Sequence, residues 1–183
     1  MAIVDVRQLG DPVLRQPSRP VAEPDAPRVR TLSTDLRDTL LAHRARTGYG
    51  RGIAAPQLGV NERVIHVELE GSRTLVNPVI TARSDQTMEL WDFCFSYFSI
   101  FFPVRRHLLV EVKYQDPQGR DQSLEATGHL AELLQHEIDH LNGVLAIDLV
   151  TDLTRICTLT EWVKRHAGEN DRTVAEALRR LKA

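Results

Sequence analysis

The segment that most constrains this chain is Gln135-His136-Glu137-Ile138-Asp139-His140. Residues four apart on an α-helix lie one turn apart on one face. The two imidazoles can therefore bind one metal ion while the glutamate moves protons on a water beside it. Leucines recur at helical spacing and Asn142-Gly143 is a stop signal, so we predict a helix over residues 128–141. The pattern alone leaves open a plain helix with two surface histidines.

A catalytic metal site of this kind needs a third protein ligand. The chain has two cysteines, Cys94 and Cys157. A thiolate is a strong ligand for a divalent transition metal, whereas most single cysteines are small buried apolar residues. We interpret Cys157 as buried and apolar, and Cys94, together with a third segment, as the ligand.

The third segment is a stretch of small residues over residues 50–59, which includes Gly50, Gly52 and Gln57. Small residues let the backbone approach a ligand closely, and Gln57 adds an amide donor. A glycine-rich bend before a strand explains the stretch equally well. A nucleotide-binding loop is not indicated, because no Lys-Ser/Thr pair follows.

In this order, the three segments resemble the motifs of the peptide deformylase family, which are G-x-G-x-A-A-x-Q, E-G-C-L-S and Q-H-E-x-D-H. They correspond to residues 50–57, 92–96 and 135–140, and the third is a full match. Flanking residues are also similar, at 10–15, 76–78 and 141–143. The resemblance covers the chain from about residue 5 to about residue 150.

The mixture of short strands around a buried helix predicts an α+β fold, and the resemblance implies that short antiparallel strands pack around this central metal-binding helix. It implies one catalytic domain over residues 1–183, with a helical tail from about 152 to 183. The implied reaction removes the formyl group from N-formylmethionyl peptides. The implied ion is iron(II), and a His₂Cys ligand set suits zinc as well.

The family motifs also assign roles to individual residues. The implied metal ligands are Cys94, His136 and His140, and Glu137 is the implied general base. The Gln57 side chain and the backbone N–H of Phe95 are the implied donors to the carbonyl oxygen. The implied substrate contacts are Gly50, Arg51 and Gly52.

The second motif departs from the family pattern. Asp92 stands where the family has Glu, Phe93 where it has Gly, and Phe95 where it has Leu, while Tyr97-Phe98 replaces an apolar-Pro pair. Arg51 occupies a usually apolar position. We expect its charge to favour acidic substrates, unless its side chain points to solvent.

Two alternatives to a peptide deformylase stay open at this point. A related amidohydrolase would keep the metal chemistry and act on a different N-acyl substrate. A metal-stabilised binding protein would have no catalysis, and Glu137 argues against it because a structural site does not require that residue.

Composition excludes several classes of protein. The chain has 183 residues and a net charge of −2, so bulk charge does not indicate DNA or RNA binding. No secretory signal is visible, and the most apolar window, residues 97–104, is far shorter than the roughly 20 residues of a membrane helix. We expect a cytoplasmic protein with no membrane contact.

The remaining sequence predicts local structure. We expect an extended, proline-rich surface arm over residues 11–27, a helix over 29–45 and an extended aromatic run over 91–102 with Cys94, Asp92 and Ser96 on one face. The predicted strands cover residues 63–69, 73–76, 108–114 and 123–126.

Two further helices are predicted in the tail. One covers residues 152–166, and a capping box at Thr173 and Glu176 opens the other. We favour a terminal helix packed on its own domain. The alternative is that this basic helix contacts ribosomal RNA, since the resemblance implies action on nascent chains.

Overall fold

The fold, seen in a computed structural model that describes residues 3–97 and 99–166, combines helices with antiparallel sheets. The helices are α1 (Pro27–Thr47), α2 (Gly128–Leu141) and α3 (Leu159–His166). The strands are β1 (Gly52–Ala54), β2 (Val64–Glu68), β3 (Ser72–Arg83), β4 (Thr87–Asp92), β5 (Ile100–His107), β6 (Leu109–Gln115), β7 (Asp121–Thr127) and β8 (Cys157–Thr158).

The strands form a larger and a smaller sheet, and every strand pairing is antiparallel. The larger sheet has the order β1-β2-β3-β6-β7, and the smaller has the order β4-β5-β8. The four strands predicted from the sequence are all present, and β3 extends well beyond its predicted end, to Arg83. The register between β3 and β6 shifts twice, which marks bulges in this long strand.

The helix predicted from the histidine motif lies at the centre of the fold and has the predicted bounds. Its apolar face packs on the larger sheet, where Leu130, Leu134 and Ile138 join Ile65 and Val112 in one core cluster. It ends at the predicted stop. Gly143 has a φ of 73°, and a Cβ there would lie 2.6 Å from the carbonyl oxygen of Arg15.

The helix predicted over residues 29–45 is α1, which begins two residues earlier and ends two residues later. Pro27 suits its first turn because proline needs no amide partner there. Gly48 ends it in the left-handed conformation, with a φ of 87°. Its leucines pack against Ile53 and Val64 and so hold β1 in place.

The proline-rich arm is less exposed than predicted. Residues Pro12–Arg15 form a short 3₁₀ helix, and the side chains of Leu14, Ser18 and Val21 are buried. Apolar residues between the prolines attach this arm to the body of the protein.

The prediction of one extended aromatic run was wrong. Strand β4 ends at Asp92, and Phe95–Tyr97 is a 3₁₀ turn. The turn breaks the strand alternation, so Phe93, Phe95 and Tyr97 enter three different core clusters. Phe98 lies outside the described residues.

The first tail helix was predicted too long. Leu153–Arg155 is a 3₁₀ turn and Cys157 lies in β8, so the α-helix covers only Leu159–His166. Cys157 is partly buried against an aromatic cluster, close to its predicted apolar role. The helix predicted from Thr173 lies outside the described residues. Among the helices of the described chain, none has the length and apolar character needed to cross a membrane.

Candidate metal centre and active site

Three segments distant in the sequence meet at one pocket. Helix α2 carries His136, Glu137 and His140 on its inward face. Cys94 lies between the end of β4 and the 3₁₀ turn, and Gln57 lies in a 3₁₀ turn directly after β1. The structure therefore brings together the segments that the sequence singled out.

The candidate ligands form a compact, buried cluster. Ligand-capable atoms of Cys94, His136 and His140 all lie within 4.8 Å of one another. Cys94 Sγ lies 3.2 Å from His140 Nε2. One thiolate and two imidazoles converging in a buried space form a donor set for a divalent transition metal, so these residues fit such an ion.

Gln57 is held so that its amide nitrogen faces the cluster. Its Oε1 accepts a hydrogen bond from the backbone N–H of Ala54 at 2.8 Å. Its Nε2 lies 3.3 Å from both Cys94 Sγ and Ser96 Oγ, to which it can donate. Since the side chain is buried, this bonding fixes which end of the amide is presented to the pocket.

A carboxylate and an arginine support the cluster from behind. Asp92 Oδ2 lies 3.0 Å from His136 Nδ1 and 3.5 Å from an amino group of Arg106. Arg106 also donates a hydrogen bond to Asp139. All of these charges except that of Asp139 are almost completely buried, so their mutual pairing offsets the cost of desolvation.

The surroundings shift the pKa values of the two histidines in opposite directions. Burial lowers the pKa of His136, but Asp92 and Cys94 raise it by more, so it lies well above its ordinary value. Burial and the nearby charge of His136 keep the pKa of His140 well below its usual range. Asp92 and Cys94 thus favour a positive charge beside them, and a divalent cation can supply that charge when it displaces the His136 proton, because a ligand imidazole must be neutral.

Glu137 lies against β1 and faces the same pocket. Its carboxylate is so close to the backbone that a Cβ on Gly52 would lie 2.6 Å from Oε1. Within residues 3–97 and 99–166, no side chain or backbone group donates a hydrogen bond to the buried Oε2. Burial raises the pKa of Glu137 to about 7; the charge of His136 opposes this rise, while Asp92 and Glu132 add to it.

The three predicted substrate contacts also line this pocket. Gly50 has a φ of 137°, and a Cβ there would lie 2.7 Å from Cζ of Phe95. Phe95 in turn packs on His43, with ring centroids 3.9 Å apart. Arg51 Nη2 donates a hydrogen bond to Glu132 Oε2 at 2.7 Å, so its charge is paired.

Sequence reasoning missed Glu132, Arg106 and the contact of Asp92 with the histidine. Glu132 precedes His136 by four residues on α2, and this spacing is a signal that could have identified it. In the pairing of β4 with β5, Arg106 lies opposite Met88 and Asp92 opposite Phe102. The Asp92–Arg106 contact therefore depends on the reach of the two side chains, and nothing local in the sequence indicates it.

The protein has a buried Cys-His-His cluster and a glutamate in the same pocket of an α+β fold. These features are typical of metal-dependent hydrolases. Residues 3–155 match the family model described as polypeptide deformylase. The peptide deformylase of Rhizobium meliloti (strain 1021) is 38% identical over 170 residues, which are 90% of this chain and 94% of that protein. The chain belongs to the peptide deformylase family.

Solved structures agree with this assignment. A peptide deformylase from Synechococcus elongatus in complex with actinonin has a TM-score of 0.78 and 36% identity, covering 90% of this chain and 86% of that one. A class I type b peptide deformylase from Acinetobacter baumannii, with Met-Ala-Ser bound, has a TM-score of 0.76 and 28% identity, covering 81% of this chain and 99% of that one. The predicted α+β fold and the predicted family are confirmed.

Proposed function

We propose that this protein is a peptide deformylase that hydrolyses the formyl amide of N-formylmethionyl peptides. One observation carries the proposal: the buried carboxylate of Glu137 shares a pocket with Cys94, His136 and His140. A site that only stabilises the fold has no need of a buried carboxylate whose Oε2 accepts no hydrogen bond from the part of the chain that the structure describes. The related A. baumannii structure has Met-Ala-Ser bound, which is the peptide that remains when formyl-Met-Ala-Ser loses its formyl group.

We assign the metal to Cys94, His136 and His140, and we propose iron(II) as the native ion. The thiolate and the two imidazoles also suit zinc. A divalent metal in this position supplies Lewis-acid chemistry: it makes a water acidic near neutral pH and polarises a carbonyl.

Glu137 moves the protons of the reaction. Its carboxylate accepts a proton from the water that attacks the formyl carbon, and returns a proton to the leaving amine. The C–N bond breaks, and the products are formate and a peptide with a free amino terminus. Gly52 leaves room for this carboxylate, because a side chain there would overlap it.

Gln57 stabilises the carbonyl oxygen as negative charge develops on it. Its Nε2 is already directed at the cluster by the hydrogen bond that Oε1 accepts. The backbone N–H of Phe95, at the start of the 3₁₀ turn, is the second proposed donor. Loss of one such donor typically lowers turnover by about 10²–10³.

The test is formate release from formyl-Met-Ala-Ser under anaerobic conditions, with iron(II) added. We expect the wild-type protein to release formate and Glu137→Gln to keep its metal with turnover lower by about 10²–10⁴. Glu125→Gln, an exposed site on β7, is the matched control. Hydrolysis of acetyl but not formyl peptides would favour the alternative amidohydrolase, and a protein that binds metal and hydrolyses neither would favour the binding protein.

The setting of the reaction is part of the same proposal. The matched region spans residues 3–155, which supports one catalytic domain with an added tail from about 152 to 183. Formylated nascent chains arise in the cytoplasm, so we propose action there. Contact between the basic tail and the ribosome is a proposal on charge alone.

A further inference from the structure

An ion pair crosses the pocket between β1 and α2. Arg51, directly before β1, donates to Glu132 at 2.7 Å across 81 residues of sequence. The Glu132 side chain is 2% exposed and that of Arg51 is 38% exposed. The carboxylate therefore lies at the inner end of the pair and the guanidinium at the outer end.

The pair is close to the reacting groups. A carboxylate oxygen of Glu132 lies within 4.8 Å of a ring nitrogen of His136 and of an oxygen of Asp92. Both members of the pair line the pocket together with Cys94 and Glu137. In a formyl peptide, Cβ of the first residue is three bonds from the formyl carbon, so its side chain is within reach of the pair.

We propose that, among the N-formyl peptides that this site hydrolyses, the methionyl ones included, the Arg51–Glu132 pair raises kcat/KM for those whose first side chain ends in a neutral hydrogen-bonding group. This inference rests on the proposed function, because it specifies the substrate of the same site. An apolar side chain such as that of methionine removes water from the two charged groups and offers them no hydrogen bond in return. This desolvation costs binding free energy. A glutamine amide has a similar length, donates to Glu132 and accepts from Arg51.

The pairing changes the expectation drawn from the sequence, where Arg51 alone favoured acidic substrates. In the structure, Glu132 compensates the charge of Arg51. A substrate carboxylate near Arg51 would also lie near Glu132 and be repelled by it. The neutral amide has both hydrogen bonds and no repulsion, so we expect it to be preferred over the acid.

The experiment compares kcat/KM for formyl-X-Ala-Ser peptides in which X is glutamine, glutamate, norleucine or methionine. In the wild type we expect glutamine to exceed norleucine by about tenfold or more, since a site built for hydrogen bonds rejects an analogue without them. The double variant Arg51→Leu with Glu132→Leu should reverse the order. Arg120→Leu, in an exposed ion pair with Asp116 at 2.7 Å, should leave it unchanged.

The outcomes separate the selection from the activity itself. Formate release in which norleucine equals or exceeds glutamine in the wild type, or in which the double variant keeps the wild-type ratio, overturns the selection but not the deformylase activity. Glutamate above glutamine overturns it in favour of selection by charge. No formate from any peptide, in metal-loaded wild type and variant, overturns the proposed function and the selection together.

Folding of the variants is checked by metal content and thermal unfolding. If the double leucine variant does not fold, Arg51→Met with Glu132→Gln removes both charges with side chains of similar length. The wild-type comparison of glutamine with norleucine needs no variant, so it decides the proposal even then.

Discussion

Asp92 Oδ2 lies 3.0 Å from Nδ1 of His136. Burial raises the pKa of Asp92. The charge of His136, the hydrogen bond with His136 and the charge of Arg106 lower it by more, so the pKa of Asp92 lies below its ordinary value. An ionised carboxylate can only accept, so Nδ1 carries the proton. Nε2 is then the nitrogen left for a metal, which would displace the proton that the raised pKa of His136 keeps on the ring. Asp92 is one methylene shorter than the glutamate of the family motif, and it nevertheless holds the ring of His136 in place.

We predict that Asp92→Asn weakens metal binding by about 10–100-fold, a typical effect of losing a carboxylate behind a histidine ligand. The measurement is a competition titration against a chelator. Asp92→Glu restores the residue of the family motif and should bind metal more tightly than Asp92→Asn. Equal affinity in wild type and Asp92→Asn would show that the carboxylate does not support the ligand.

The proposed ligand role of Cys94 has a matched control in the same chain. We expect Cys94→Ala to lose most of its bound metal, because the cluster keeps only two of its three donors. Cys157 lies against the aromatic cluster of α3, and Cys157→Ala should bind metal as the wild type does. Metal analysis after anaerobic purification measures both, and full metal content in Cys94→Ala would exclude the thiolate as a ligand.

His43 makes the stability of the fold depend on pH. Burial, with the charge of Arg46 adding to it, lowers its pKa from 6.5 to about 4. The folded state therefore binds this proton less readily than the unfolded state. The contribution of His43 to stability is fully present above pH 6.5, is lost progressively as pH falls towards 4, and does not change further below that.

We therefore expect that lowering the pH from 7 to 5 decreases the urea concentration at the unfolding midpoint, and that this decrease is larger in the wild type than in His43→Gln. His129 is exposed at the start of α2, and His129→Gln should keep the wild-type pH dependence. The same fall in His43→Gln as in the wild type would assign the effect to other groups.

The sequence predicted the parts of the site that depend on local spacing. His136, His140 and Glu137 could be identified because the helical repeat of α2 puts them on one face. Cys94 could be identified because its segment matches a family motif. The Arg51–Glu132 and Asp92–Arg106 contacts depend on how distant elements pack, which no local pattern encodes. The aromatic run was misread because the chain leaves the strand after Asp92 and enters a turn.

The last prediction concerns the space that Gly52 leaves for Glu137, the proposed general base. Its φ is not in the left-handed region, so alanine there carries no backbone strain. The added Cβ would lie 2.6 Å from Oε1 and 2.9 Å from Cγ of Glu137, so the carboxylate must move. A displacement of about 1 Å can lower turnover by about 10²-fold.

We expect Gly52→Ala to keep its metal and lose turnover on formyl-Met-Ala-Ser to about this extent. A double-mutant cycle with Glu137→Gln identifies the cause. If alanine acts by displacing Glu137, it should cost little once Glu137 no longer transfers protons. If the fold loss of turnover in the double variant equals the product of the two single losses, Gly52 instead acts on the substrate directly and independently of Glu137.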